Sequence, residues 1–150
     1  MEIFYETSNN SLIKIIIIDN AGQERLRGVN KSYYSKVDSC ILVYDITSKE
    51  SFNECLEFNQ IIKENCKKNV KLMLLGNKSD EESKREVSQK EGQDFAHSNN
   101  YDLFYETSCV KNENVSEAFE HLIAISEMEE DQNNLILNKR KTKKTKKTCC

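Results

Sequence analysis

Proline is absent, and glycine is confined to Gly22, Gly28, Gly76 and Gly92 in a chain of 150 residues. Four glycines so far apart cannot supply a glycine-rich loop, and no G-x-x-x-x-G-K-[ST] occurs in these residues. The six cysteines are Cys40, Cys55, Cys66, Cys109, Cys149 and Cys150, and no two form a C-x-x-C pair. The spacings show no zinc pattern and no disulfide framework, which suits a reducing compartment. No apolar run is long enough to span a bilayer. Met1 to Asn10 carries two glutamates and no basic stretch, unlike a secretory signal.

What is present is charge, unevenly spread. The net charge is −3, but Lys139 to Thr148 holds seven Lys or Arg and no acid. The remainder has 15 basic and 25 acidic residues. An acidic body argues against nucleic-acid binding by the whole domain, and a basic tail suggests a partner of its own. The length predicts one domain, residues 1–128, followed by a flexible polybasic tail, residues 129–150.

Apolar runs define the strands. "MEIFYET" and "SLIKIIIID" flank "SNN" and predict a hairpin. The unbroken Ile15 to Ile18 predicts a strand, Leu12 to Asp19, buried on both faces. Further buried strands are expected at Ser39–Ile46, Val70–Lys78 and Leu103–Ser108. Between them lie helical patterns. One starts with a capping box of Thr47 and Glu50 and aligns Phe52, Cys55, Leu56 and Ile62. A second starts with Ser88 and Glu91. A third aligns Val115, Ala118, Phe119, Leu122 and Ile123. Alternating strands and helices predict an α/β sheet with helices on both faces. Ligands of such sheets bind at the carboxyl ends of the strands.

Three motifs stand at those ends. "DNAGQE", Asp19 to Glu24, offers a carboxylate able to hold Mg²⁺ through water, a glycine for close approach to a phosphate, and a glutamine able to orient water. An ordinary polar turn is the competing reading. "GNKSD", Gly76 to Asp80, suits guanine: Asn77 would brace a loop, the Lys78 stem would cover a flat ring, and Asp80 would accept N1–H and N2–H₂. Adenine lacks that donor pair and would leave the carboxylate unpaired. "ETSCV", Glu106 to Val110, would close over the same base. His97 and His121 fall in helical patterns and read as surface residues.

These stretches, with "SYYSKVDSCILVYDITSKESF", "REVSQKEGQDFA", "YETSCVKNENVSEAF" and the terminal "CC", resemble the Ras-superfamily small GTPases, and among them the Rab proteins. The resemblance implies a P-loop-NTPase-like, small-G-protein α/β fold with a mostly parallel sheet. It implies GTP and GDP as ligands, with Mg²⁺ held near Asp19 through water. Gly22 would lie at the γ-phosphate, with Ala21 also among the nucleotide-binding residues, and Gln23 would position the hydrolytic water. Asn77, Lys78 and Asp80 would read guanine, and Ser108, Cys109 and Val110 would complete the base site. Residues Ala21 to Tyr34 would sense the γ-phosphate. Asn20 stands where the family usually has Thr, and Cys109-Val110 where it usually has Ala-Lys.

By the same resemblance the chain opens at the family's second strand and is N-terminally truncated. The family's first strand, phosphate loop, first helix and first switch would precede Met1. Without phosphate-loop donors most of the nucleotide's charge lacks a partner, so base contacts alone are expected to bind weakly. A missed upstream exon or wrong start is the simplest explanation. A nucleotide-free, lipid-anchored interaction module, or a non-functional fragment, is the alternative to a GTP-hydrolysing switch in vesicle trafficking. The tail "KRKTKKTKKTCC" fits anionic lipid, and Cys149 and Cys150 look like the Rab signal for double geranylgeranylation. The resemblance then implies the cytoplasmic face of intracellular membranes with a cytosolic pool. Partners would be an exchange factor, a GTPase-activating protein, escort and dissociation-inhibitor proteins, and effectors, with no nucleic acid.

Overall fold

The computed structural model describes residues 1–6, 12–19 and 34–127. It divides into two units, Met1–Tyr33 and Tyr34–Cys150. The expected tail and the turn at "SNN" lie outside the described residues.

In the first unit β1 (Glu2–Glu6) pairs antiparallel with β2 (Leu12–Ile16), Glu2 facing Ile16 and Glu6 facing Leu12. Beyond the ladder, the Met1 ammonium donates to the Ile17 carbonyl at 2.8 Å, and Ile17 N–H donates back to Met1 O. The strand is shorter than expected and is not buried on both faces. Leu12 is 70% and Ile16 59% exposed. The cause is the alternation of side chains: Leu12, Lys14 and Ile16 share a face with Glu2 and Glu6. There Lys14 pairs with Glu2 at 2.8 Å.

The second unit is built on a parallel sheet in the order β3 (Ser39–Asp45), β4 (Lys71–Asn77), β5 (Leu103–Thr107). Helices α1 (Lys49–Asn65) and α2 (Gln89–Ser98) are joined by a third, α3, helical over residues 115–127. Alternate strand residues feed two cores. Leu42, Tyr44 and Leu74 pack with Phe52 and Cys55 of α1 and Phe95 and Ala96 of α2. Met73 and Leu75 pack with Ala118 and Leu122 of α3 on the opposite face. β4 is buried continuously from Leu72 to Gly76. β3 is buried less fully than expected, with Val43 53% exposed. No helix among the described residues is long and apolar enough to cross a membrane.

The starts of α1 and α2 differ. α2 has the expected capping box: Ser88 Oγ accepts from Glu91 N–H, and the Glu91 carboxylate accepts from Ser88 N–H. α1 is capped by Ser48, whose Oγ accepts from Ser51 N–H at 3.2 Å. The expected Thr47–Glu50 box does not form, because Thr47 N–H and Oγ–H both donate to Asp45 Oδ1. The buried stripe of α1 is Phe52, Cys55, Asn59 and Ile62. Leu56, expected inside, is 57% exposed. At roughly 100° per residue it stands about 80° from the centre of that stripe.

Two glycines shape the first core. A Cβ on Gly76 would come within 2.7 Å of the Tyr44 hydroxyl, and one on Gly92 within 2.5 Å. The tip of Tyr44 is therefore wedged between the backbones of β4 and α2.

Candidate guanine-base site

The carboxyl ends of β3, β4 and β5 bring together Asp45, Asn77 to Asp80, and Thr107 to Cys109. Parallel register is the reason: Asp45 faces Asn77, and Asn77 faces Thr107. Asn77 O accepts from Ile46 N–H at 3.0 Å. Its Oδ1 receives Thr107 Oγ–H at 3.4 Å and Cys109 Sγ–H at 3.5 Å. Asn77 thus ties the exits of three strands together.

After Asn77 the chain turns sharply. Lys78 adopts a left-handed backbone, φ 66° and ψ 37°, and starts the short 3-10 helix Ser79–Lys84. The other described residues with positive φ are Asn100, Asn112 and Asn114. Asparagine tolerates this region, whereas for lysine it costs about 1–2 kcal/mol. The lysine is held from the side, its Nζ lying 2.5 Å from Asp45 Oδ2. Burial pushes the Asp45 carboxyl up, but hydrogen bonds from Lys78 and Thr47 outweigh it and hold the group below its ordinary value. The hydrogen bond to Asp45 raises Lys78 correspondingly. Both are charged at neutral pH.

Asp80 lies two residues on. Ser108 Oγ–H donates to Asp80 Oδ1 at 2.5 Å, and that bond lowers the Asp80 pKa, helped by the charges of Lys111 and Lys78. Ser108 is fully buried, while Asp80 is part-exposed. The arrangement presents an ionised carboxylate, aimed by a buried hydroxyl, on the sheet's carboxyl rim. A pair of adjacent N–H donors on a flat ring is what such an acceptor matches.

The loop after Ser108 folds back, with backbone bonds in both directions between Ser108 and Glu113. Lys111 N–H donates to Ser108 Oγ at 3.1 Å. Cys109 is exposed, and Val110 is 86% exposed, so the Val110 side chain is not brought into the cluster. The charge of Lys111, the next residue, acts on Asp80 instead.

Asp45 and the Arg85–Glu106 pair of this neighbourhood escaped the sequence analysis. Asp45 is a carboxylate at a strand tip, the same signal that singled out Asp19. Arg85 and Glu106 form a two-pronged pair at 2.7 and 2.9 Å. Arg85 also donates to Val87 O and to Glu82, and Glu106 with Glu82 raises its already high pKa. The pair anchors the strand that delivers Thr107 and Ser108. His97 and His121 are surface residues, His121 Nδ1 hydrogen-bonding the Tyr105 hydroxyl.

Asp19 is described and exposed, in the first unit. Ala21, Gly22, Gln23, Cys149 and Cys150 lie outside the described residues. Among the described residues no three His, Cys, Asp or Glu side chains gather as a metal site.

A model of the Ras family matches residues 3–128. The chain belongs to the Ras family. This Ras-family chain is 40% identical over 110 residues to the Ras-related protein Rab-15 of Bos taurus. The alignment covers 73% of the chain, and the chain spans about half, 51%, of that relative. The chain is thus similar to a Rab protein within the Ras family, and the parallel three-stranded sheet with helices on both faces is the small-G-protein α/β fold.

Proposed function

We propose that this Ras-family domain binds guanine nucleotides and serves a GTP-hydrolysing switch in vesicle trafficking. The observation that carries the reading is the Asp80 carboxylate, aimed by buried Ser108 beside the strained Lys78 and the bracing Asn77. Asp80 would accept the N1–H and N2–H₂ of guanine, and the Lys78 stem would cover the ring. Asn77 would hold the rim in shape. Gln23 would orient the hydrolytic water, with Gly22 beside the γ-phosphate and Ala21 among the nucleotide-binding residues.

A lone carboxylate acting through water needs no cluster of acids, so Asp19 fits the magnesium role expected of it. Mg²⁺, when bound, would neutralise charge on the phosphates. Membrane attachment through prenylated Cys149 and Cys150 and the basic tail belongs to the same proposal. So do the family's exchange factor, GTPase-activating protein, escort, dissociation inhibitor and effectors.

Saturation-transfer NMR with GDP and ADP tests the base site. GDP should show contact through its base and ADP should not. Asp80→Asn should transfer the preference to xanthosine diphosphate, whose base carries a carbonyl where guanine has its amino group. Equal signals from GDP and ADP, or a preference unmoved by Asp80→Asn, would reject the reading.

A further inference from the structure

Resting on the guanine reading, we infer that Asp45 is a positioning residue for the base, acting through Lys78. Asp45 ends β3 and lies directly across from Asn77 in the ladder. Its two carboxylate oxygens have separate tasks. Oδ1 accepts Thr47 N–H at 2.8 Å and Thr47 Oγ–H at 2.7 Å. Oδ2 meets Lys78 Nζ at 2.5 Å. The Asp45 backbone is fixed as well, because its N–H donates to Ser51 Oγ at 3.0 Å in the first turn of α1. Thr47 and Ser51 therefore set the carboxylate before any lysine arrives.

The effect on Lys78 follows from its starting point. The residue leaves β4 in a left-handed turn, and no side chain caps the 3-10 helix behind it. A free lysine stem has many rotamers, and ordering it on a ligand costs conformational entropy. With Nζ held at the tip of β3, the stem is stretched across the rim between two strand ends, beside Asp80. A flat base entering the rim would meet a stem already in place. The energy of the pair is small, because the Lys78 side chain is 55% exposed and that of Asp45 23%. A pair of that exposure contributes at most about a fivefold change in equilibrium. The backbone strain at Lys78 independently marks the position as one where a lysine is kept at a cost.

Two measurements on the full chain test this. Asp45→Asn retains an acceptor for Thr47 but removes the charge. The acetylation rate of Lys78, read by mass spectrometry against the other lysines, should rise about two- to fivefold. GDP affinity should fall by about the same factor. Lys78→Met keeps the stem without the ammonium, and Asp45→Asn added to it should cause no further loss. Asp45→Glu, which restores the charge, should recover part of the affinity. Unchanged Lys78 reactivity in Asp45→Asn would overturn the inference. So would released Lys78 with unchanged GDP affinity, or an equal loss in the Lys78→Met background. GDP binding by none of the proteins would overturn the guanine reading and this role together. The first three results leave binding by the unsubstituted chain intact, so the two failures are distinct.

Discussion

Replacing Gly92 by alanine sets two effects of opposite sign against each other. Gly92 lies inside α2, where alanine favours the helix by about 1 kcal/mol. The new methyl group, however, would stand 2.5 Å from the Tyr44 hydroxyl and 2.7 and 2.8 Å from two Phe104 ring carbons. Tyr44 cannot withdraw, since its hydroxyl also abuts the space a Cβ on Gly76 would need, and its ring packs edge-on against Phe52 at 5.0 Å. Overpacking of this kind costs about 1–3 kcal/mol, and two blocked neighbours put it near the upper end. The net expectation is a loss of about 1–2 kcal/mol, or roughly 4–16 °C in Tm for an ordered body of this size. Thermal and urea unfolding followed by circular dichroism would read it. Tyr44→Phe removes the closest atom but leaves the Phe104 contacts. The Gly92→Ala and Tyr44→Phe effects should therefore be coupled by at least about 0.5 kcal/mol. A rise in Tm for Gly92→Ala, or strict additivity of the two changes, would refute the wedge.

Other perturbations probe the caps and the charged pairs. Ser48→Ala should cost about 1 kcal/mol and speed amide exchange in the first turn of α1, whereas Thr47→Ala should leave that turn protected. Glu106→Gln breaks a charge-assisted pair whose side chains are only 17% and 11% exposed. About 1.5–3 kcal/mol should be lost in urea unfolding, because Arg85 keeps Glu82 and Val87 as partners; a loss under about 0.5 kcal/mol would contradict the anchoring role. Glu91 is held down to about 2 by Lys49 and by Ser88 N–H and Oγ–H. A depressed carboxylate contributes stability above its unfolded value, 4.5, and loses it as pH falls toward about 2. Carbon NMR of Glu91 should find that low midpoint, and Lys49→Met should move it upward.

Much of the fold was legible because periodicity reports burial. Leu72 to Leu75 form the core of a strand covered on both sides, and Ser88 with Glu91 announced a helix start that forms as read. Where reading failed, a neighbour outside the local pattern had prior claim. Thr47 is chemically fit to cap α1, but its hydroxyl is taken by Asp45 two residues earlier, and Ser48 inherits the task. Asn59 enters the stripe that Leu56 was expected to share, its amide donating to Asn99 Oδ1 at 2.7 Å across the space between α1 and α2. Four isoleucines in a row promised a two-sided strand, yet Leu12 and Ile16 share with Glu2, Phe4 and Glu6 a face that is exposed. In the candidate site, Asn77, Lys78, Asp80 and Ser108 were readable as a motif. The outward turn of Val110 was not, because it depends on the bonds closing Ser108 against Glu113. Nor was the Arg85–Glu106 pair, whose members belong to different segments.

The order of the parallel strands has a kinetic meaning. β3, β4 and β5 neighbour one another in the order in which the chain runs, so each pairing closes the next crossover and none must thread past an earlier one. Loop-closure entropy grows only slowly with length, and the two crossovers, Ser39 to Lys71 and Met73 to Leu103, are alike in span. Entropy therefore favours neither, and hydrophobic gain decides the sequence of events. That gain converges on β4, which both cores share. A nucleus formed there would hold Asn77 at its rim before β5 delivers Ser108 to Asp80, so the corner where these residues meet would close after the two cores.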